Sequence, residues 1–528
     1  MKSLLFGIYK TSGNTTFSEN IYSFSGEGKR KITEYHFPKF SLYGYEGSTG
    51  LTVEENERYF IAISGNNFSM EVKPFLSLEP QEIIGNLSNE ISEQYTICLY
   101  DKPSEQLYVA NDFFGLYPVF YSPTENHFLF CNEYQPLIFQ ETTLAEISIQ
   151  RIIPYLEHGF TLRGTTFFGN IDLLSARQLL VVKNRDFTIN EYADFTPIPY
   201  ESYEKAMEAL HTVLQKTVHK LTRRKNDFIT LSGGLDTRII LGLTDETTRS
   251  QQTYQTFYLA PLNEENDKDV LIGKLLAKRF NLNHRVRSFE EITDDFKPAY
   301  FETIRTNQNQ NILTGLYGGE LLSGILYDKV FNEGTSSFIN SLFDFSWKKY
   351  FRMFGKDAAL QKSVLSKSKR TFFFETLSSS FFSSVYSGSE GGWVHPWTVA
   401  QRYFSPYIDR DFLKVWFSIP ETYLFDRKSS LYFDFYTRYI PEFKTIPTNS
   451  MLPNLEENGF TYYDKGIEPK QVKKSTSAHL YDEIQHCKGF QLIPDKYKTD
   501  AYLAFHNQKQ RVIDFCVWYD HYLSFKKS

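Results

Sequence analysis

Short apolar runs separated by Gly, Asn, Ser and Pro dominate the first 195 residues of this chain. Runs rich in β-branched and aromatic side chains, bounded by such turn-forming residues, are typical of strands in antiparallel sheets. They occur at residues 59–64, 95–100, 107–110, 118–121 and 127–131. A helical pattern follows near residues 147–156. The pattern predicts a β-rich, sandwich-like domain of the α+β class over residues 1–195.

Beyond residue 200 the pattern changes to one in which strands and helices alternate. Five apolar residues recur at helical spacing on one face: Met207, Leu210, Leu214, Val218 and Leu221. This stripe predicts a helix that packs on a sheet. Strand-like runs follow at residues 228–231 and 253–259, and a second helical pattern covers residues 269–279. The alternation predicts an α/β domain with a doubly wound parallel sheet over residues 200–528, which binds ligands at the carboxyl ends of its strands.

The run at residues 228–231 leads directly into the sequence SGGLDT at residues 232–237, and an apolar segment follows. Two adjacent glycines allow the backbone to approach a ligand closely, and the N–H groups of the turn and of the next helix favour an anion. Asp236 adds a carboxylate suited to Mg²⁺. The loop is neither a Walker A motif nor the dinucleotide-binding Gly-x-Gly-x-x-Gly. A glycine turn without a ligand is the alternative interpretation.

Length and composition limit the class of protein. A chain of 528 residues with 41% hydrophobic and 23% charged residues is expected to form two or more soluble globular domains. Its net charge of −6 gives no basic surface for nucleic acid or an anionic membrane. Neither a secretory signal nor a membrane span is recognisable, so we expect a cytoplasmic protein. The scattered cysteines are expected to be reduced core residues: Cys98, Cys131, Cys487 and Cys516.

Three stretches together resemble the asparagine synthetase family. The SGGLDT loop resembles the pyrophosphate loop of ATP pyrophosphatases, with its pattern Ser-Gly-Gly-x-Asp-Ser/Thr. Residues 107–133 resemble the end of the glutaminase domain of asparagine synthetases, and residues 166–174 resemble the connector into the second domain. The matching positions of the glutaminase end are Asp112, Gly115, Pro118, Tyr121 and Glu133.

A further stretch, residues 311–324, resembles the second phosphate-facing loop of that family, Ser-Gly-Glu-Gly-x-Asp-Glu-Leu-x-x-Gly. The matching positions are Thr314, Gly315, Glu320, Leu321 and Gly324. This chain departs from the family at three places, where Leu316 replaces a Glu, Tyr317 replaces a Gly, and Gly319 replaces the magnesium-binding Asp. Glu320 is then the only acid left in the loop.

The resemblance implies ATP and Mg²⁺ as cofactors. The positions implied to contact ATP are Leu231, Ser232, Gly233, Gly234, Leu235, Asp236, Thr237, Thr256, Thr314 and Gly315. Of these, Leu231 and Thr256 would meet adenine and ribose through their backbones. Asp236 and Glu320 would hold the metal and act in catalysis with a lysine. Lys444 is the candidate for that lysine, although it lies outside the family's Arg-x-Lys-x-Gly-Phe context.

Three further positions carry less weight in the resemblance to the family. Lys428 sits where the family has a different lysine, and Asp409 takes the place of a family aspartate. His284 is expected to be a structural residue. A Ser/Gly-rich stretch at residues 377–393 could be a loop over a substrate or a surface excursion.

The glutaminase centre itself does not match. Family members begin with an exposed Cys-Gly-Ile whose cysteine is the nucleophile, whereas this chain has Phe6-Gly7-Ile8 after five other residues. Phenylalanine cannot attack an amide carbon, so we predict a degenerate, Ntn-like first domain without glutamine hydrolysis.

Three functional hypotheses follow. The leading one is an amide-forming ligase that adenylates a small-molecule or peptide carboxylate for attack by ammonia or an amine, with a homodimer or a pathway partner as further expectations. The second is a non-catalytic scaffold that keeps the nucleotide fold. The third, a pyrophosphate-loop enzyme acting on RNA, is disfavoured by the net charge of −6.

Overall fold

The computed structural model describes residues 4–11, 32–45, 50–65, 71–91, 94–115, 117–132, 135–138, 146–158, 161, 164–192, 197–224, 226–258, 262–288, 310–323, 401–424, 428–450, 452, 454–467, 484–503 and 506–525. Glu133, Gly324 and the Ser/Gly-rich stretch 377–393 lie outside the described residues.

The first part of the chain forms two antiparallel sheets of six strands each, with the orders β10-β8-β9-β1-β3-β2 and β12-β11-β7-β6-β5-β4. The strands are β1 Leu4–Lys10, β2 Thr33–His36, β3 Phe40–Tyr45, β4 Gly50–Glu55, β5 Tyr59–Gly65, β6 Tyr95–Asp101, β7 Gln106–Asn111, β8 Phe120–Pro123, β9 His127–Cys131, β10 Asp172–Leu173, β11 Gln178–Lys183 and β12 Asp186–Glu191. The runs predicted as strands therefore coincide with β5 to β9, and the antiparallel sandwich is confirmed.

The two sheets are the inner layers of a helix–sheet–sheet–helix stack. Their facing sides share one apolar core, to which Leu42 and Phe130 come from one sheet and Val109 from the other. Helix α1, Pro80–Glu90, covers the outer side of the second sheet. The short helix α2, Gln135–Ile138, and helix α3, Ile149–His158, lie on the outer side of the first sheet.

Strand β1 contributes to both sides of its sheet. Side chains alternate along a strand, so Leu5 points into the shared core while Phe6 and Ile8 point to the outer side. All three are buried. The ring of Phe130 lies against Gly7, where a Cβ atom would come within 1.9 Å of that ring. Phe6, which the sequence resemblance aligns with the family's nucleophile, is thus an apolar residue in a strand interior.

The second part of the chain contains a five-stranded, wholly parallel sheet of order β15-β14-β13-β16-β17. Its strands are β13 Phe228–Thr230, β14 Thr253–Tyr258, β15 Asn283–Ser288, β16 Gln310–Leu313 and β17 Gln401–Phe404. The strand order reverses between β13 and β16, as in doubly wound sheets, and a crevice opens at such a reversal beyond the carboxyl ends of the strands. The SGGLDT loop follows β13 and lies at this edge.

Helices surround this sheet. They are α4 Tyr203–Thr222, α5 Asp236–Leu243, α6 Glu246–Gln251, α7 Lys268–Phe280, α8 Gly318–Leu322, α9 Arg410–Ser418, α10 Glu421–Leu424 and α11 Ser430–Tyr439. The predicted helices at 203–221 and 269–279 correspond to α4 and α7. Ser202 and Asp267 cap them by accepting the backbone N–H of Lys205 and Val270.

Arg410 joins the two parts of the chain. Its guanidinium donates to the carbonyls of Ser88, at 2.7 Å, and Ile91, at 3.3 Å, at the end of α1. These carbonyls lack intrahelical partners, and a cation at the C-terminus of a helix is favoured by the helix dipole. The contact fixes α9 against the first domain.

The end of the chain returns to the first domain, although the sequence pattern assigns it to the second. Helices α12 Lys488–Leu492, α13 Asp500–Leu503 and α14 His506–Phe525 complete the outer layer over the first sheet. Trp518 is fully buried there, with its ring centroid 5.0 Å from that of Phe167 and 5.9 Å from that of Phe168. Arg511 donates to the carbonyl of Leu156 at 3.3 Å.

No helix within the described ranges combines the length and apolar character needed to cross a bilayer. The cysteines are free thiols, as expected, and three of them are buried.

Replacing Trp518 by alanine is expected to lower the free energy of unfolding by about 3–5 kcal/mol, because a fully buried aromatic side chain is lost between a helix and a sheet. Urea unfolding followed by circular dichroism measures the change. Asp520, exposed on the same helix, provides the control, and Asp520→Ala should change stability by less than about 0.5 kcal/mol. Equal stability of the two variants would contradict the packing of α14 on the first domain.

Candidate functional site

The glycine loop connects β13 to α5 and packs tightly against its surroundings. A Cβ atom on Gly233 would lie 2.6 Å from Ile272 and 2.9 Å from Asn449, so the close approach requires glycine there. The loop is thereby held between α7 and residues 446–450, a segment named here the strap.

The N–H groups of the loop face oxygen atoms. Gly233 donates to the Asp269 carboxylate at 2.6 Å. The next two N–H groups each donate to a hydroxyl oxygen: Gly234 to Ser232 Oγ at 3.2 Å, and Leu235 to Ser450 Oγ at 3.2 Å. Three successive N–H groups that already accommodate a carboxylate and two hydroxyl oxygens have the polarity required of an anion site.

Asp236 begins α5, and its position is fixed by hydrogen bonds. The Tyr432 hydroxyl and the Gly319 N–H donate to its carboxylate, and the Tyr407 hydroxyl donates to its carbonyl at 2.9 Å. Tyr436, one turn after Tyr432 on α11, donates to the carbonyl of the preceding residue. Both tyrosines are buried, so the start of α5 is held by groups that water cannot easily replace.

The second predicted loop meets the first at this point. A Cβ atom on Gly315 would lie 2.8 Å from the backbone N of Thr237, and one on Gly318 would lie 2.9 Å from Asp236 Cβ. One on Gly319 would lie 3.3 Å from Asp236 Oδ2. Gly315 and Gly318 therefore pack against the start of α5, and the charge of Glu320 acts on Asp236 there.

Tyr317 has a backbone conformation that favours glycine, the residue that the resembled family has at this position. Its φ is 70°, in the left-handed region that glycine adopts without cost. The backbone turn is thus retained in this chain by a buried tyrosine, while the neighbouring Leu316 is exposed.

Asp236 and Glu320 form a recessed pair of carboxylates. Burial, and then the charge of Glu320, raises the pKa of Asp236, whereas the hydrogen bonds from Tyr432 and Gly319 lower it. Burial also raises the pKa of Glu320. Two carboxylates in such surroundings repel each other unless they share a proton or a cation.

The donor set fits Mg²⁺. Mg²⁺ prefers oxygen ligands and is commonly held by one or two carboxylates together with water and substrate phosphates. Asp236 and Glu320 would hold it here. The described residues offer no cluster of three or more His, Cys, Asp or Glu side chains around them, in keeping with the glycine at position 319.

The two residues expected to contact adenine and ribose, Leu231 and Thr256, are joined by a hydrogen bond. Thr256 Oγ1 donates to the carbonyl of Leu231 at 2.6 Å and lies 2.8 Å from His284 Nε2. Because the hydroxyl proton goes to Leu231, the imidazole nitrogen is the donor in the second bond. Burial lowers the pKa of His284 and favours its neutral form. These contacts agree with the expected structural role of His284.

Lys444 lies in the short turn of 3-10 helix Pro441–Thr445, which follows α11. Its ammonium lies 3.1 Å from Thr437 Oγ1 and 5.6 Å from the centre of the Phe460 ring. Of the other two secondary positions, Lys428 is exposed, and Asp409 caps α9 and pairs with Lys220 at 2.6 Å.

Neither Arg238 nor the tyrosines around Asp236 were predicted from the sequence as parts of the site. Arg238 is fully buried and donates to the carbonyls of Gly233, at 3.1 Å, and Ile446, at 2.7 Å. Burial lowers its pKa to about 10, so the guanidinium remains charged at neutral pH. A charged residue inside the apolar run after SGGLDT was the available signal. For Tyr432 and Tyr436 the only signal was their spacing of one helical turn.

A family profile described as a glutamine amidotransferase domain matches residues 84–193. Two relatives come from Methanocaldococcus jannaschii and are provisionally named asparagine synthetase (glutamine-hydrolyzing) 2 and 1. The first is 22% identical over 333 residues, which cover 56% of this chain and 63% of the relative. The second is 26% identical over 212 residues, which cover 38% of this chain and 35% of the relative. The chain is thus similar, over part of its length, to proteins named asparagine synthetases.

The chain thus spans under two thirds of the length of the curated relatives it matches. A solved structure of glutamine phosphoribosylpyrophosphate amidotransferase from B. subtilis with ADP and GMP aligns with 62% of this chain and 71% of its own, at 9% identity. The TM-score of 0.22 is too low to support an argument from it.

Gly319→Asp is expected to restore a third carboxylate beside Asp236. Its Cβ would lie 3.3 Å from Asp236 Oδ2, so repulsion should lower stability without metal by roughly 1–4 kcal/mol. Millimolar Mg²⁺ should then raise the Tm of this variant more than that of the parent, since a ligand stabilises the state that binds it.

Gly319→Asn is the matched control, because it has nearly the same shape without the charge. It should gain no response to Mg²⁺. If the two variants respond alike in thermal unfolding, position 319 does not face a metal site.

Proposed function

We propose that this chain is an ATP-dependent amide-forming ligase of the asparagine synthetase type. The observation that carries the proposal is the meeting of two loops, 231–237 and 314–320, at the start of α5, where N–H donors and two carboxylates lie together. The similarity to proteins named asparagine synthetases supports it. The substrates would be a small-molecule or peptide carboxylate and ammonia or an amine.

The residues divide the task between them. ATP supplies activation of the carboxylate as a mixed anhydride with AMP, with pyrophosphate as the leaving group. The glycine loop, residues 232–235, would hold the phosphates, aided by the N-terminus of α5. Asp236 and Glu320 would hold Mg²⁺. The charge of Arg238 lies behind the loop and lowers the cost of gathering negative charge there.

The first domain would not hydrolyse glutamine. Phe6 is fully buried, its outer side is covered by the C-terminal helices, and no thiol occupies its place. Nitrogen would therefore come from free ammonia or from an amine on a substrate. The domain would act as a structural partner of the ligase domain through Arg410 and α14.

A nucleotide-fold scaffold without catalysis is the second candidate. Two observations favour it: Lys444 contacts Thr437 and Phe460 instead of the carboxylate pair, and Gly319 removes one acid. Such a protein would bind ATP without releasing pyrophosphate.

ATP–pyrophosphate exchange in the presence of Mg²⁺, measured across a panel of carboxylates, tests the proposal. Exchange that depends on one class of carboxylate and is lost in Asp236→Ala is the expected result. Binding of ATP by calorimetry is measured in parallel. A protein that does not bind ATP rules out the ligase, and one that binds ATP without exchange for any carboxylate supports the scaffold.

Glutamine should yield no glutamate above the rate in buffer, and Phe6→Cys should not restore hydrolysis. The new thiol would lie inside a covered strand, without the free α-amino group beside it that the family's nucleophile has. A coupled glutamate assay measures the rate, with an active glutaminase as its positive control. Hydrolysis by the parent chain would show that another group provides the nucleophile.

A further inference from the structure

The strap, residues 446–450, lies directly across the glycine loop. Thr448 Oγ1 donates to the carbonyl of Gly233 at 2.7 Å, and the N–H of Asn449 donates to the same oxygen at 3.2 Å. The side-chain amide of Asn449 donates to Asp269 Oδ1 at 3.0 Å, the oxygen that also accepts the N–H of Gly233. The strap is thus bonded to the loop and to the acid beneath it.

Arg238 fixes the strap from below. Its guanidinium donates to the carbonyls of Ile446 at 2.7 Å, Pro447 at 2.5 Å and Gly233 at 3.1 Å. One buried cation therefore holds the first residues of the strap and the loop at a set distance. Moving the strap away from the loop would break these bonds and leave a buried charge without acceptors, which would be costly.

The strap carries Ser450 to the open side of Gly234. A Cβ atom built on Gly234 would lie 3.3 Å from Ser232 Oγ and 3.9 Å from Ser450 Oγ. The two hydroxyls therefore flank the space that a side chain at position 234 would fill. Glycine keeps that space open, and both serines are partly exposed to it.

The hydroxyl of Ser450 retains a proton to donate. Its oxygen accepts the N–H of Leu235 at 3.2 Å, which uses a lone pair and not the O–H group. Within the described part of the chain, no oxygen accepts that proton. Ser232 Oγ likewise accepts the N–H of Gly234, and it lies 3.3 Å from Thr237 Oγ1.

We propose that Ser450 is a phosphate-binding residue, which donates its hydroxyl proton to a phosphate oxygen seated over Gly234 opposite Ser232. The proposal rests on the proposed function, since it assumes that the loop receives a phosphate. The site would thereby include a residue that lies about 215 positions away from the glycine loop in sequence. The Ser450 hydroxyl is neutral, so the positive charge that favours the anion comes from Arg238.

Calorimetric titration with inorganic pyrophosphate and Mg²⁺ tests the assignment. Ser450→Ala should weaken binding about tenfold, the usual effect of losing one hydrogen bond to a charged group. Ser450→Thr keeps the hydroxyl and should bind within about twofold of the parent. Ser250→Ala, which alters an exposed serine on α6, is the control and should change nothing. Thermal unfolding without ligand verifies that each variant is folded.

Each result is decisive. Binding by the parent chain, a loss in Ser450→Ala and recovery in Ser450→Thr support the assignment. Equal binding by parent and alanine variant overturns it while leaving the proposed function intact. Loss in both substitutions also overturns it, because the hydroxyl would then not be the cause. Absence of pyrophosphate and ATP binding in the parent refutes the proposed function itself.

Discussion

A fully buried guanidinium holds the candidate site together. Arg238 follows the glycine loop by a few residues, yet its acceptors include the carbonyl of Ile446, 208 residues away. A cation in such surroundings is stable only if dipoles replace its lost hydration, and backbone carbonyls of the strap and of Gly233 do so here. The geometry of the loop therefore depends on the second half of the domain being folded around it.

The carboxylate pair depends on the same packing. Gly315 and Gly318 allow the second loop to reach the backbone of α5, and two buried tyrosines on α11 fix the first turn of that helix. Since burial raises the pKa of both acids, ionising the two carboxyl groups side by side costs stability. Proteins commonly retain such costs where a cation or substrate relieves them.

The periodic spacing of apolar residues within single strands and helices predicted much of the fold. Alternation within strands located β5 to β9, helical spacing located α4 and α7, and the SGGLDT loop indicated the site. Contacts between distant segments could not be predicted, because no local pattern records them: Arg238 with the strap, and Tyr432 with Asp236. The contacts of Lys444 could not be predicted for the same reason, because they depend on the turn that follows α11. Neither could the return of α14 to the first domain.

The position of α14 has a consequence for the order in which the chain is made. The first sheet emerges from the ribosome long before residues 506–525, so its outer side, including Phe6 and Phe168, must wait for the last helix to cover it. During that interval an apolar surface is open to other chains, a condition that promotes aggregation in large proteins. Expression systems rich in chaperones, or slow synthesis at low temperature, should therefore improve recovery of the folded protein.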